Sequence, residues 1–124
     1  MPDTKRVLII DDDLFISDLY SLELQKAGFV VTTAGSGELG LSKLPLEHPS
    51  LVLLDIAMPV MDGITVLSKI RENKDYDSIK VVLLTNIRDE ETIRLGLSKG
   101  ADGYLLKTSL TPEQVGEEVK RMLA

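Results

Sequence analysis

The 124-residue sequence has no cysteine and one histidine. Without cysteine no disulfide can contribute to stability, but a chain of this length can bury a sizeable core without one. No apolar run approaches the roughly 20 residues of a membrane-spanning helix, and the run at 7–10, which ends in three aspartates, is too short for a signal peptide. His48 precedes Pro49 in a polar loop, where we expect a solvated side chain rather than a catalytic one.

The charge balance excludes a further class of function. With 14 basic and 20 acidic residues, the net charge is −6, and no cluster of Lys or Arg forms a binding stripe. Such a surface repels nucleic acid phosphates. We therefore expect one cytoplasmic domain over residues 1–124, with no direct contact to nucleic acid or membrane.

Five short apolar segments rich in β-branched residues divide the sequence. Most are continuous runs, which is typical of strands that are covered on both faces of a parallel sheet. The predicted strands are 7–10, 29–33, 51–54, 80–84 and 103–106, of which 29–33 is the weakest. Helices should therefore lie on both sides of the sheet.

The apolar spacing becomes helical between these strands. The predicted helices run from Leu14 to a stop at Gly28, from about Ser36 to Pro45, onward from Gly63, from about Asp89 to Gly100, and from Thr111. This alternation predicts a doubly wound α/β fold, with a five-stranded parallel sheet, five helices on both faces and right-handed crossovers.

A polar side chain follows four of the five predicted strands. These are Asp11 and Asp12 after the first strand, Asp55 after the third, Thr85 after the fourth and Lys107 after the fifth. Because the carboxyl ends of parallel strands lie at one edge of the sheet, where open α/β folds bind ligands, we expect these side chains to converge.

The converging groups suit phosphoryl transfer. Carboxylates at one edge repel one another unless a cation lies between them, and magnesium fits best because it prefers hard oxygen ligands and completes its octahedron with water and phosphate. Lys107 can supply charge to a phosphoryl oxygen, Thr85 a hydrogen bond and Asp55 the nucleophile. The sequence therefore predicts magnesium-dependent phosphorylation of Asp55.

The segments VLIIDDD, LVLLDIAMPVMDG, VVLLT and GADGYLLK follow one another in a familiar order and spacing. On these motifs the chain resembles the receiver domains of two-component response regulators, of the chemotaxis-regulator-like single-domain kind, over essentially its whole length. The resemblance implies a flavodoxin-like sheet with the strand order 2-1-3-4-5.

The resemblance also implies roles for individual residues. The implied magnesium ligands are Asp11, Asp12, Asp55 and the backbone carbonyl of Ala57. Asp55 would take its phosphoryl group from a histidine kinase or a histidine phosphotransfer protein. Thr85 and Lys107 would contact that group, and Tyr104 would be the aromatic switch residue. The signal would leave through the fourth helix, fifth strand and fifth helix to a downstream target or output domain, from a monomer or a phosphorylation-induced dimer.

Several positions depart from the family's pattern. Thr108 follows Lys107 where the family usually has proline, often after a cis peptide, so this peptide is either a strained cis bond or trans. Ala57, Asn86 and Ile87 occupy the family's rate-tuning positions, and neither Ala57 nor Ile87 can orient a water molecule. We therefore expect slow self-dephosphorylation and no enzymatic activity beyond self-phosphorylation and its reversal.

Other interpretations stay open. Each aspartate alone could be a helix N-cap, as we expect for Asp13, and Tyr104 could be a packed strand aromatic. The chain could be an interaction or dimerisation module that keeps the fold without being phosphorylated, but the Asp, Thr and Lys set argues against this. A phosphatase with an aspartyl nucleophile requires a second acid two residues later, where this chain has Ala57.

Overall fold

The computed structural model describes residues 5–124, in which strands and helices alternate along the chain. The elements are β1 (Arg6–Ile10), α1 (Leu14–Lys26), β2 (Val30–Ala34), α2 (Gly37–Glu47), β3 (Leu51–Leu54), α3 (Gly63–Glu72), β4 (Lys80–Thr85), α4 (Glu90–Ser98), β5 (Gly103–Leu106) and α5 (Pro112–Met122). A short 3-10 turn at Lys74–Tyr76 precedes β4. Within this described range, no helix has the length and apolar content that crossing a bilayer requires.

All five strands are parallel and lie in the order β2-β1-β3-β4-β5. The predicted doubly wound sheet and its strand order are confirmed. The order reverses between β1 and β3, because the chain moves outward from β1 to β2 and then returns to the other side of β1. This reversal opens a crevice at the carboxyl ends of the two central strands.

Alternate residues of the central strands enter two separate cores. Leu8 and Ile10 pack with the apolar faces of α2 and α3, whereas Val7 and Ile9 pack with those of α1 and α5. These four side chains are at most 1% exposed, and each buried aliphatic side chain stabilises the fold by about 1.5–3 kcal/mol. The central strands are therefore held on both faces, which fixes the positions of the residues that follow them.

Each helix begins at a side chain that accepts a hydrogen bond from the third residue of that helix. The N-caps are Asp13, Ser36, Asp62, Asp89 and Thr111. Asp13 accepts the Ile16 N–H at 3.1 Å, so it has the capping role that we expected. The caps fix where each loop at the carboxyl edge ends.

Several predicted boundaries were wrong, among them the start of β1, which is Arg6, and the end of β4, which is Thr85. The second helix passes Pro45 and ends after Glu47, where His48 adopts a left-handed φ of 47° and donates its backbone N–H to Leu44. Pro45 lies in the last turn, where the loss of one backbone donor does not prevent the helix from closing. The second strand begins at Val30 rather than at residue 29 because the Phe29 N–H bonds back to α1.

Candidate functional site

Backbone hydrogen bonds continue beyond the strand ends and position the predicted site residues. The N–H of Asp11 donates to the last carbonyl of β2, and the N–H of Asp55 donates to the last carbonyl of β1, each at 3.0 Å. The N–H of Lys107 donates to the carbonyl of Thr85 at 2.9 Å. These four residues therefore share one edge of the sheet, as the sequence predicted.

Three aspartates form a compact group of oxygen donors at this edge. One carboxylate oxygen from each of Asp11, Asp12 and Asp55 lies within 4.8 Å of the other two. Asp11 and Asp55 are 3% and 8% exposed, whereas Asp12 is open to solvent. Ala57 is exposed in the loop that follows Asp55. Hard oxygen donors with an open side suit a magnesium ion that keeps several waters, so the residues present fit this metal.

Lys107 lies between the two buried carboxylates. Its Nζ is 2.6 Å from Asp11 Oδ2 and 3.3 Å from Asp55 Oδ2, and its side chain is 12% exposed. Burial lowers the pKa of Lys107, but the hydrogen bond to Asp11 and the negative charges of Asp55 and Asp11 outweigh it and raise the pKa above its ordinary value. The ammonium group therefore stays charged at neutral pH.

One lysine does not fully compensate the buried acids. Burial raises the pKa of Asp11, the hydrogen bonds from Lys107 and the Asp13 backbone oppose this rise, and the nearby charge of Asp55 adds to it. The pKa of Asp11 thus remains above its ordinary value even with the ammonium at 2.6 Å. An additional cation beside these carboxylates would be electrostatically favourable.

Thr85 and Tyr104 both contact Ile87, in the loop between β4 and α4. Thr85 is fully buried, and its Oγ1 accepts the Ile87 N–H at 3.4 Å. The half-buried Tyr104 donates its hydroxyl hydrogen to the Ile87 carbonyl at 2.8 Å. Burial, with the charges of Asp89 and Asp55, raises the pKa of Tyr104 and keeps this donor protonated. The loop thus connects the two predicted switch residues.

The Lys107–Thr108 peptide is trans, since none of the described peptide bonds is cis. The sequence had left cis and trans open at this position. Asn86 is exposed and Ile87 is half-buried beside the site. Ala57, Asn86 and Ile87 therefore bring no charged side chain to this part of the molecule.

Sequence reasoning missed an apolar rim around the site, formed by Leu14, Phe15 and Val60. Their exposed fractions are 59%, 72% and 107%, and Val60 has a left-handed φ of 69°, which is strained for a β-branched residue. Leu14 and Phe15 begin α1, and Val60 lies in the loop after Asp55. No periodicity identifies such residues, because exposure in a loop or first helical turn is set by the fold.

The response regulator receiver domain family matches residues 7–120 of this chain. The chain belongs to this family. A solved receiver domain from Methanospirillum hungatei, described as CheY-like, superimposes with a TM-score of 0.88 at 32% identity, covering 98% of this chain and 94% of that one. The predicted family resemblance is therefore confirmed.

Curated relatives of the receiver domain are longer proteins. The chain is 37% identical to the alkaline phosphatase synthesis transcriptional regulatory protein PhoP of Bacillus subtilis and 38% identical to the DNA-binding dual master transcriptional regulator RpaA of Synechocystis sp.. Each match covers 96% of this chain and 48% of the relative. The chain thus spans about half the length of these relatives, and membership in the family implies a role in phosphorylation signalling.

Proposed function

We propose that this receiver domain is a switch of a two-component phosphorelay, in which Asp55 accepts a phosphoryl group in a magnesium-dependent reaction. The observation that carries the proposal is the position of Lys107, whose Nζ lies 2.6 Å from Asp11 and 3.3 Å from Asp55. A cation held between a nucleophile and a metal-ligand candidate is already placed for an incoming phosphoryl oxygen.

The proposed magnesium ligands are Asp11, Asp12, Asp55 and the backbone carbonyl of Ala57. Bound there, the ion would neutralise charge on the carboxylates and the phosphoryl oxygens. An Asp55 carboxylate oxygen attacks phosphorus while the bond from phosphorus to the donor breaks, and an ionised carboxylate needs no general base. Lys107 exchanges its contact with Asp11 for a phosphoryl oxygen, and Thr85 donates its hydroxyl to another.

The switch would pass through Ile87. Phosphorylation adds about −1.5 to −2 charges at Asp55, which favours movement of the Thr85 hydroxyl away from the Ile87 N–H and toward the phosphoryl group. Because Tyr104 bonds the Ile87 carbonyl at 2.8 Å, the same movement changes the packing of Tyr104 and of the face formed by α4, β5 and α5.

Two exposed apolar surfaces are the proposed contact sites for protein partners. The apolar rim lies beside the phosphorylation site, where a histidine kinase or a histidine phosphotransfer protein could bury it while presenting its phosphohistidine. On α4, Leu95 and Leu97 are 44% and 48% exposed and offer apolar contacts to a downstream target or output domain. We propose that these contacts are made in the cytoplasm, by a monomer or a phosphorylation-induced dimer.

The proposed switch is slow to reset and acts on no separate substrate. Ala57 and Ile87 carry no group that could orient a water molecule against the phosphoryl group, and the amide of Asn86 is exposed. We therefore expect a phosphorylated form that outlasts minutes in magnesium buffer. A lifetime of seconds, followed by intact mass after removal of the phosphodonor, would contradict this part of the proposal.

The alternatives are less well supported. Removing a lysine from water between two acids costs desolvation free energy. A module that keeps this fold but is never phosphorylated would gain no function from that arrangement. A phosphatase requires an acid two residues after its nucleophile, and Ala57 has no such group. The convergence of Asp55, Thr85 and Lys107 favours the phosphorelay switch.

Intact-mass measurement with a small phosphodonor and magnesium tests the proposal. The wild type should gain one phosphoryl group, and Asp55→Asn should gain none. Asp62→Asn is the matched control, because it removes a carboxylate from the same loop while asparagine still caps α3. Equal phosphorylation of Asp55→Asn and the wild type, or none in the wild type, would refute the proposed function.

A further inference from the structure

A cavity of about 360 Å³ lies on the side of Lys107 that faces α1 and α5. Its polar lining comes from Asp13, Tyr20, Asn86 and Lys107. None of the roles proposed above uses this cavity, although Lys107 lines it. The lysine therefore connects the phosphorylation site with a second, partly polar space.

Tyr20 is the unexpected member of this lining. It is 4% exposed on the inner face of α1 and packs in the core between the sheet and α5. Buried phenols usually have a hydrogen-bond partner, yet the Tyr20 hydroxyl makes no hydrogen bond within residues 5–124. No side-chain oxygen or nitrogen in that range is both fully enclosed and unpaired, so the hydroxyl keeps some contact with solvent, and Tyr20 lines the cavity.

Lys107 has one donor to spare. An ammonium group carries three N–H donors, and the two contacts of Lys107 are to Asp11 and Asp55. Lys107, which carries the remaining N–H, lines the same cavity as Tyr20. A cavity with several polar groups can hold a water molecule that bridges them.

The Tyr20 hydroxyl is in the correct protonation state for this contact. Burial raises its pKa, the charge of Lys107 opposes the rise, and the charges of Asp11 and Asp55 add to it. The phenol is therefore neutral at physiological pH, and the charges of Lys107, Asp11 and Asp55 all act on it. Its oxygen can accept a hydrogen bond while its own hydrogen points elsewhere in the cavity.

We propose that Tyr20 is a positioning residue for Lys107, accepting the third N–H of the ammonium group through a water molecule of the cavity. The inference rests on the proposed phosphorylation of Asp55. Held from this side, the ammonium keeps its orientation when it leaves Asp11 for a phosphoryl oxygen. Without that contact, the lysine side chain would more often adopt rotamers in which its ammonium group does not reach the phosphoryl group.

The test is a double-mutant cycle on the initial rate of phosphorylation, followed by intact mass with a small phosphodonor and saturating magnesium. Tyr20→Phe removes the hydroxyl and keeps the ring, so the core packing is preserved. We expect it to slow phosphorylation about threefold to tenfold, the range for loss of one hydrogen bond. In a Lys107→Ala background, Tyr20→Phe should have almost no further effect.

Tyr76→Phe is the matched control, since Tyr76 lies in the turn before β4 at the opposite end of the sheet. It should leave the rate unchanged. Equal slowing by Tyr20→Phe in both backgrounds would show that Tyr20 acts only through the core. No slowing in either background would show that the hydroxyl does not contribute to the reaction. Both results would overturn the inference and leave Asp55 phosphorylation intact. Failure of the wild type to accept phosphate would refute the proposed function itself.

Discussion

Two half-buried cations lie at opposite ends of the same sheet, Lys107 at the carboxyl ends of the strands and Arg71 at their amino ends. Arg71 is 19% exposed and Lys107 is 12% exposed, so both are largely removed from water. They differ in what they bind. Lys107 contacts two carboxylates that could accept other partners, whereas most partners of Arg71 are backbone carbonyls that cannot move independently of the chain.

The Arg71 guanidinium joins three segments. Its Nε donates to the Gly100 carbonyl at 3.0 Å, and its two terminal nitrogens donate to the carbonyls of Tyr76 and Ile79 at 3.2 and 2.9 Å. One of these nitrogens also contacts Asp102 at 2.9 Å. The planar fork of arginine satisfies all these acceptors together, which fixes the loops before β4 and β5.

Arg71 and Lys107 are thus similarly buried but differ in their roles. Arginine with several fixed acceptors forms a structural clamp. Lysine with two charged neighbours forms a point charge that can exchange one oxygen for another. The clamp should therefore affect stability more than chemistry, and the lysine chemistry more than stability.

The largest effect is expected at Gly63, where the carboxyl edge is packed most tightly. A Cβ at Gly63 would lie 2.1 Å from the carbonyl oxygen of Asp55, a backbone atom that cannot rotate away. Gly63→Ala should lower the free energy of unfolding by more than about 3 kcal/mol in urea titrations. Gly116→Ala is the control, because its Cβ meets ordinary contacts of 3.7 Å or more; a loss as large there would contradict the steric explanation.

Breaking the clamp is expected to have the next largest effect. Arg71→Ala leaves three carbonyls and Asp102 without their donor and should destabilise the protein by about 3 kcal/mol in the same titrations. Arg71→Lys keeps the charge but not the fork, and it should recover less than half of this loss. The phosphorylation rate of the folded Arg71→Ala protein should equal that of the wild type. A fall in that rate as large as the one expected for Lys107→Ala would contradict a purely structural role of Arg71.

Lys107→Ala should reverse this pattern. We expect phosphorylation of Asp55 to fall at least about tenfold, because one hydrogen bond to a charged group is lost in the transition state. In magnesium buffer the free energy of unfolding should change by about 1 kcal/mol or less, because the proposed magnesium ion would compensate the carboxylates. Intact-mass rates and urea titrations on the same samples measure both. A large stability loss with an unchanged rate would make Lys107 a second clamp.

Relieving strain at the apolar rim is expected to have the smallest effect. Val60 holds a left-handed backbone conformation that asparagine adopts more readily, so Val60→Asn should raise the free energy of unfolding by about 1 kcal/mol. Val30→Asn is the control, since Val30 is 40% exposed but lies in an extended strand. That substitution should destabilise, and stabilisation by both would argue against relief of backbone strain.

Much of the fold follows from local patterns. Continuous apolar runs predicted the buried strands β1, β3 and β4, and the starts of α3 after Asp62 and of α5 after Thr111 agree with the helices predicted from Gly63 and Thr111. The predicted helix end at Pro45 was wrong because tolerance of proline in a last turn depends on packing. No apolar periodicity marks the short 3-10 turn before β4, so the sequence did not predict it.

The predicted site residues converge because parallel strands bring their carboxyl ends together. Residue type and strand position were sufficient to predict that Asp55 and Lys107 lie close together. Arg71 was missed because most of its partners are backbone carbonyls, one of them 29 residues away, and these have no sequence signature. The proposed role of Tyr20 was not predicted because a tyrosine on an apolar helix face is usually a core residue, and its relation to Lys107 comes from the cavity that both line.

Asp55 is the residue proposed to carry the phosphoryl group. Phosphorylated protein can be reduced with borohydride, which converts an acyl phosphate on aspartate to homoserine, and then digested and sequenced by mass spectrometry. We expect conversion at Asp55 that requires both phosphodonor and magnesium and that disappears when magnesium is chelated. Conversion at Asp11 or Asp12 instead, or the same yield at Asp55 with and without magnesium, would contradict it.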